Sequence, residues 1–311
     1  MAAVDLARAP LLEIIAHVQA AQAGGADAIE LRVLDPDRGR GKFAGERVEI
    51  DGVVYVHRPF RAWVELADRL RLRLCTPRPV APPLVELRFE RLDPGARWHD
   101  QPAADPTEKY GAASGFARIS KLEDPGFVLD LADALARVGL AAGARVLDLG
   151  VNTGDELALV AALAPGVDEA GFVGVDHSGS ALAVARRRFP RARFVEADVG
   201  ALAGHDLGRF DLVLSIGTLQ SPGIDDRELL RRIVQDHLVP GGAVILGFPN
   251  CRYVDGEVEH GARMKNFRQA ELGLLVKDVA FYRKYLQQHG RQVFVTGSHY
   301  LLVTGVRSGG S

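Results

Sequence analysis

The sequence predicts an α/β protein in which a mostly parallel sheet is closed by an antiparallel hairpin and preceded by a small α+β domain. Three observations carry this. From about residue 110 onward, short apolar runs alternate strictly with helical stretches, the order required by a parallel sheet covered by helices on both faces. The last two apolar runs, 292–296 and 300–306, are separated only by Gly297, Ser298 and His299. So short a link cannot join parallel neighbours, and the pair must be antiparallel. Between residues 93 and 109 the chain reads DPGARWHDQPAADPTEK, rich in proline and small polar residues and without hydrophobic periodicity. This stretch reads as a linker between domains over 1–92 and 110–307.

In the first segment, Leu11, Leu12, Ile14, Ile15 and Val18 share one face of a helix that ends at Gly24-Gly25. Residues 29–34 are a short strand. The runs 47–50 and 53–56 flank Asp51-Gly52, which predicts a two-residue hairpin because that turn needs positive φ. Trp63, Leu66 and Leu70 define the buried side of a helix over 60–70, and 84–92 alternates as a half-buried strand. Pro77, Pro79, Pro82 and Pro83 make the stretch before it a rigid connection. In the second segment, strands are expected at 145–149, 172–176, 193–197, 211–216 and 243–248, and helices at 128–138, 155–163, 180–189, 227–238 and 279–289.

Composition narrows the functional classes. The 311 residues are 47% hydrophobic and 25% charged, with 38 Lys plus Arg against 40 Asp plus Glu and a formal net charge of −2. That balance argues against a protein that coats nucleic acid, which normally carries a strongly basic surface. Two cysteines, Cys75 and Cys251, cannot build a disulfide framework, and no Cys/His cluster has zinc spacing. No basic leader precedes an apolar run and no stretch of about 18 apolar residues occurs, so a cytoplasmic setting is expected.

The chemistry concentrates at the ends of the predicted parallel strands, where such sheets bind ligands. In VLDLGVNTGDE (146–156) an apolar strand ends in Asp148, and Gly150 and Gly154 open a helix, allowing a ligand close to the backbone. The spacing is G-x-x-x-G, not the dinucleotide G-x-G-x-x-G, and an acid before the first glycine suits a ligand with positive charge. The second strand ends at Asp176, whose carboxylate can accept hydrogen bonds from ribose hydroxyls. The third ends with Glu196-Ala197-Asp198, the fourth (FDLVLSIGTLQS) with Ser215-Ile216-Gly217, and Pro240-Gly241-Gly242 precedes the fifth.

With these motifs in order, the stretch from about 125 to 307 resembles the class I S-adenosylmethionine-dependent methyltransferases. The resemblance implies a Rossmann-like seven-stranded sheet with a terminal antiparallel hairpin, and S-adenosylmethionine as cofactor. It places Gly150, Val151, Asn152 and Gly154 under the methionine part and Asp148 near its ammonium. Asp176 would take the ribose hydroxyls with His177 beside it. Asp198 and Val199 would border the adenine, and Ser215, Ile216 and Gly217 would close the pocket. Val151 stands where the family usually has a small residue, and the helix opens with Asp155-Glu156. Ahead of the first strand, Tyr110, Phe116, Arg118 and Lys121 lie in a segment that in related enzymes folds over the cofactor; Arg118 is the expected partner of its carboxylate.

Residues 250–278 form a connection far longer than is usual in α/β units. It starts at the ligand-binding rim, carries mixed charge (Arg252, Asp255, Glu257, Glu259, Arg263, Lys265, Arg268), and is expected to cover a substrate pocket together with the first domain. Methyl transfer is an in-line displacement governed by positioning, with proton removal where the nucleophile is protonated. The candidates for that catalytic work are His177, Gln220, Tyr253, Glu257 and His260. No N-P-P-aromatic tetrapeptide follows the fourth strand, Cys251 lacks the preceding proline of cytosine-C5 enzymes, and no carboxylate ends the fourth strand to hold a metal. The first reading is therefore methyl transfer to a small molecule. A tRNA acceptor is the alternative, drawn from Arg58, Arg61, Arg69, Arg71, Arg73 and Arg78 in the first segment. A catalytically silent cofactor- or partner-binding protein of the same fold is the third.

Overall fold

The first strand pair of the structure shows how alternation becomes a core. In this computed structural model, which describes residues 3–96, 105–221, 223–260 and 273–307, the N-terminal part contains β1 (Val4–Asp5), α1 (Leu11–Ala23), β2 (Ala28–Leu34), β3 (Arg47–Ile50), β4 (Val53–Val56), α2 (Phe60–Leu70), β5 (Leu72–Leu74), β6 (Arg78–Pro79) and β7 (Leu84–Arg91). Antiparallel pairing of β2 with β7 sets Ile29 opposite Phe89, Leu31 opposite Leu87 and Val33 opposite Val85. All six side chains are buried, on one face of the pleat. Ile14 and Val18 of α1 and Trp63, Leu66 and Ala67 of α2 cover that face. The strand order is β1-β2-β7-β5, with β6 also on β7. The predicted hairpin is β3–β4, where Asp51 and Gly52 take φ of 51° and 75°. The two-residue strands β1 and β6 and the three-residue β5 are too short to leave a period in the sequence, and proline punctuation hid β6.

The C-terminal part holds α3 (Pro125–Val138), β8 (Val146–Leu149), α4 (Asp155–Leu163), β9 (Phe172–Asp176), α5 (Gly179–Arg188), β10 (Arg193–Glu196), β11 (Phe210–Ile216), α6 (Asp226–Arg232), β12 (Leu238–Pro249), the hairpin β13 (Cys251–Val254) and β14 (Glu257–His260), α7 (Gly273–Gln288), β15 (Arg291–Thr296) and β16 (Tyr300–Arg307). Its seven-stranded sheet has the order β10-β9-β8-β11-β12-β16-β15, parallel through β12 and antiparallel for β16 and β15. β8 and β9 are buried on both faces, which is why they read as apolar runs rather than alternating ones. The sheet order reverses between β8 and β11, and the loops after β8, β9, β11 and β12 therefore open at one crevice.

Two local details depart from expectation. The helix expected at 227–238 stops at Arg232, and a π-helical turn, Ile233–His237, leads into β12. Pro240, Gly241 and Gly242 lie inside β12 rather than before it: Phe210 pairs with Leu238 and Leu212 with Ala243, so the register slips there.

The larger departure concerns the long connection after β12. The chain clusters into two units, Met1–Arg97 with Tyr253–His260, and Trp98–Arg252 with Gly261–Ser311. The second domain was expected to run unbroken over 110–307, yet residues 253–260 belong with the first unit. Within that unit Arg73 of β5 holds the hairpin. Its guanidinium donates to the Asp255 carbonyl oxygen and pairs with the carboxylates of Asp255 at 3.1 Å and Glu257 at 3.2 Å. Each partner is roughly one-third exposed or more, so the individual pairs are worth ~0–1 kcal/mol. Arg73→Ala is expected to cost ~1–2 kcal/mol in all and to accelerate amide exchange at 253–258 while leaving β8–β12 protected. Hydrogen exchange by mass spectrometry checks this, and unchanged exchange in the hairpin contradicts it.

Candidate functional site

The crevice is built around the turn from β8 into α4. Gly150 and Val151 donate their N–H groups to the Val175 carbonyl at 2.8 and 3.1 Å, tying the loop to the end of β9. Gly150 has φ +82°, and a Cβ there would stand 2.0 Å from Thr218 Oγ1. Thr218 is fixed in turn, its hydroxyl donating to the Leu149 carbonyl at 3.0 Å. Only glycine satisfies both the backbone and the space at 150. Asn152, also at positive φ (47°), presents its N–H to Asp176 Oδ2 at 2.9 Å and its side-chain amide to the Tyr110 carbonyl at 2.7 Å.

Asp176 is thereby oriented by two backbone donors, Asn152 on Oδ2 and Ser178 on Oδ1, both at 2.9 Å. Each oxygen keeps a lone pair for a further donor, which is what a vicinal diol requires. His177, next in the chain, is exposed. Asp198 is exposed and caps the following turn through the Gly200 N–H at 2.7 Å, with Val199 buried beneath it. Val151, Ser215 and Ile216 are buried, and Gly217 has φ +76°. Arg118 is exposed, three residues from Lys121, which is not.

Besides Asp176, three buried ionisable groups set the electrostatics of the crevice. Asp148 is 1% exposed, Glu156 2% and Lys121 9%. The Lys121 ammonium pairs with the Glu156 carboxylate and lies 5.6 Å from the centre of the Phe127 ring. Burial works to lower the lysine, but Glu156 outweighs it and holds the ammonium above its ordinary value. Burial first, then the charge of Glu156, pushes the Asp148 carboxyl well above the ordinary carboxylate range, against a smaller pull from Lys121. Asp148 Oδ2 is buried with no hydrogen-bond partner in the protein. So are Ser215 Oγ at the end of β11, Gln220 Oε1 in the loop beyond it, and Asn250 Oδ1 just after β12. Buried polar atoms are nearly always paired in native proteins. Four orphans on the carboxyl ends of neighbouring strands mark a place where a polar ligand completes the bonding.

The expected catalytic candidates are divided between the two units. His177 stands beside Asp176 and Gln220 lies under Gly217, both in the second unit. Tyr253 and Glu257 belong to the first unit, and Glu257 is engaged by Arg73. His260 ends β14, and its side chain lies outside the described residues, as do Arg263, Lys265 and Arg268. Of the six arginines that raised a tRNA acceptor, Arg73 is spent on the hairpin, and Arg58 is buried, donating to the Ala9 carbonyl at 2.7 Å and lying 5.6 Å from the Trp63 ring. Arg188, exposed at the end of α5, pairs with Asp155 at 2.7 Å. Nothing in the sequence singles out Glu156 or the burial of Lys121. Their partner lies 35 residues away, and no local pattern announces that a lysine will be buried.

Residues 146–242 match the family described as a methyltransferase domain. Among curated proteins, trans-aconitate 2-methyltransferase of Methylobacterium nodulans is 38% identical over 142 residues, 43% of this chain and 52% of that protein. The enzyme of the same name from Paracidovorax citrulli is 37% identical over 120 residues, 39% of this chain and 44% of its own length. The chain thus spans about half the length of the curated relatives it matches. Among solved structures, the plantazolicin methyltransferase BpumL in complex with SAH superposes with a TM-score of 0.50 at 14% identity, over 66% of this chain and 92% of the other. That likeness concerns the fold.

Proposed function

We infer, from a second unit that is a class I S-adenosylmethionine-dependent methyltransferase domain, that this chain binds S-adenosylmethionine in the β8–β12 crevice and transfers its methyl group to a small-molecule acceptor. The observation that carries the reading is the set of four unpartnered buried polar atoms, Asp148 Oδ2, Ser215 Oγ, Gln220 Oε1 and Asn250 Oδ1, around a glycine loop already oriented on Asp176. The residues fit the cofactor. Asp176 offers two oriented oxygens to a ribose diol, Gly150 and Asn152 let the backbone approach, and Asp148 faces the cationic end. Bound there, the cofactor supplies an electrophilic methyl group on a sulfonium.

The protein's own part is positional. Asp176 fixes the nucleoside end, Val199 and Ile216 supply apolar walls, and the buried rim excludes water from the displacement. Gln220 cannot accept a proton at neutral pH and serves as an orienting amide, leaving His177 as the titratable candidate beside the cofactor loop. The name of the relatives points to a small carboxylic acid as acceptor class. Their matched portion is the cofactor-binding half, so the class is tested directly. With S-adenosylmethionine labelled in its methyl group, label is expected in the organic-extractable fraction of a small-acid mixture that includes trans-aconitate. Label in acid-precipitable tRNA instead would overturn the small-molecule reading. Asp176→Ala is expected to weaken S-adenosylhomocysteine binding by ~1–3 kcal/mol, the cost of hydrogen bonds to a charged group; unchanged affinity would place the ribose elsewhere.

A further inference from the structure

Beneath the glycine loop, charge is distributed in a way that cofactor contact alone does not require. Asp148 and Glu156 are two carboxylates buried almost completely, one at the end of β8 and the other in the first turn of α4. Lys121, ahead of α3, is the one buried ammonium among the described residues and is bonded to Glu156. Two other acids face Asp148, Asp155 from α4 and Asp176 from β9. Asp155 is offset by Arg188 at 2.7 Å, and Asp176 by two backbone N–H groups. For Asp148 the compensating charge is that of Lys121, itself bonded to Glu156, and its Oδ2 has no hydrogen-bond partner. A buried carboxylate in that position either ionises against neighbouring negative charge or keeps a proton until a cation arrives.

We propose that Lys121 and Glu156 are a positioning pair that sets the charge of Asp148, so that the ligand's cationic head enters the crevice with release of one proton from the Asp148 carboxyl. The inference rests on the assignment of S-adenosylmethionine to this crevice. The O–H bond of the Asp148 carboxyl breaks, the proton passes to the buffer, and the carboxylate takes the incoming cation in its place. No covalent bond to the ligand forms. Glu156 opposes ionisation and Lys121 favours it, and their bond to one another keeps the two effects in balance. Burial of the pair is thus functional as well as structural: the cofactor must carry a cation to be bound well.

Calorimetric titration of the full chain with S-adenosylhomocysteine, in buffers of different ionisation enthalpy between pH 5.5 and 8, counts the protons exchanged. The wild type is expected to release up to one proton on binding, with affinity falling about tenfold per pH unit on the acid side. Lys121→Met removes the favouring charge, so release rises, the acid limb moves to higher pH and affinity at pH 7 falls about tenfold or more. Glu156→Gln removes the opposing charge, so release shrinks toward zero and the pH profile flattens. Opposite changes in proton count are the signature; a merely structural pair would weaken binding in both variants with the proton count unchanged, and that result overturns the proposal. Circular dichroism reports folding, and the near-isosteric Glu156→Gln retains the test where Lys121→Met does not fold. Wild-type binding without proton release, at an affinity constant across the pH range, also overturns it. Absence of binding at every pH instead removes the cofactor assignment itself, and the proposal with it.

Discussion

Asp148→Asn is expected to raise the melting temperature of the ligand-free protein at neutral pH while weakening S-adenosylhomocysteine binding about a hundredfold, or ~2.7 kcal/mol. The sign follows from burial. The Asp148 carboxyl sits in the fold well above its ordinary range, chiefly through desolvation and then through Glu156. Above pH ~4, where an unfolded aspartate loses its proton, the native state holds more protons than the unfolded one. Stability therefore falls as pH rises from there to the elevated native value. The amide does not titrate, so the variant's advantage grows with pH across that window and then levels off. The gain is the proton-linkage cost that the amide no longer carries, ~1.4 kcal/mol for each pH unit of that window. The loss in binding has the same origin, since the oxygen that lacks a partner in the free protein is the one proposed to meet the cationic ligand. Scanning calorimetry at pH 5 and pH 8 checks the first half; a variant less stable than wild type at pH 8 contradicts it.

Gly150→Ala is expected to destabilise the second unit through backbone strain and overpacking together. The left-handed backbone at φ +82° costs a side-chain-bearing residue ~1–2 kcal/mol. The new methyl would also stand 2.0 Å from Thr218 Oγ1, with the Thr218 Cβ and Cγ2 at 3.1 and 3.2 Å. Thr218 cannot swing away without surrendering its bond to the Leu149 carbonyl. Overpacking of this kind costs a further ~1–3 kcal/mol, giving a total of ~2–5 kcal/mol by urea denaturation. Adding Thr218→Ala is expected to return part of the steric share and none of the backbone share. Full recovery in the double variant would show that the left-handed backbone is not strained by alanine, and no recovery would show that Thr218 is not the obstacle.

The parts of the fold that were legible in the sequence are those whose burial has a period. β8, β9 and β11 are covered on both faces and read as continuous apolar runs, and three residues between β15 and β16 dictated an antiparallel pair. Asp51-Gly52 announced its hairpin because the turn needs positive φ. The same signature occurs at Asp255-Gly256, with φ of 50° and 81° between β13 and β14. There it lies within a long segment of mixed charge that has no strand period around it. That this hairpin belongs with the first unit was not available in the sequence, because it depends on Arg73 meeting residues 182 and 184 positions away.

The site divides in the same way. The places of Gly150, Asp176 and the strand-end residues at the carboxyl ends of the parallel strands follow from motif spacing. The buried charges do not. Nothing local distinguishes Lys121 from the exposed Arg118, and Glu156 resembles any acid placed in a first helical turn to suit the dipole. Only the packing of α3, α4 and the segment before them removes both from water. Among the described residues no helix is long and apolar enough to cross a membrane, and no cluster of metal-ligating side chains occurs.

If the β8–β12 crevice holds S-adenosylmethionine through Asp148 and Asp176, titration of the full chain with S-adenosylhomocysteine at pH 7.5 gives saturable binding at one site, weakened in Asp176→Ala and nearly lost in Asp148→Asn. No heat at millimolar ligand, or affinities indistinguishable among the three proteins, would contradict it.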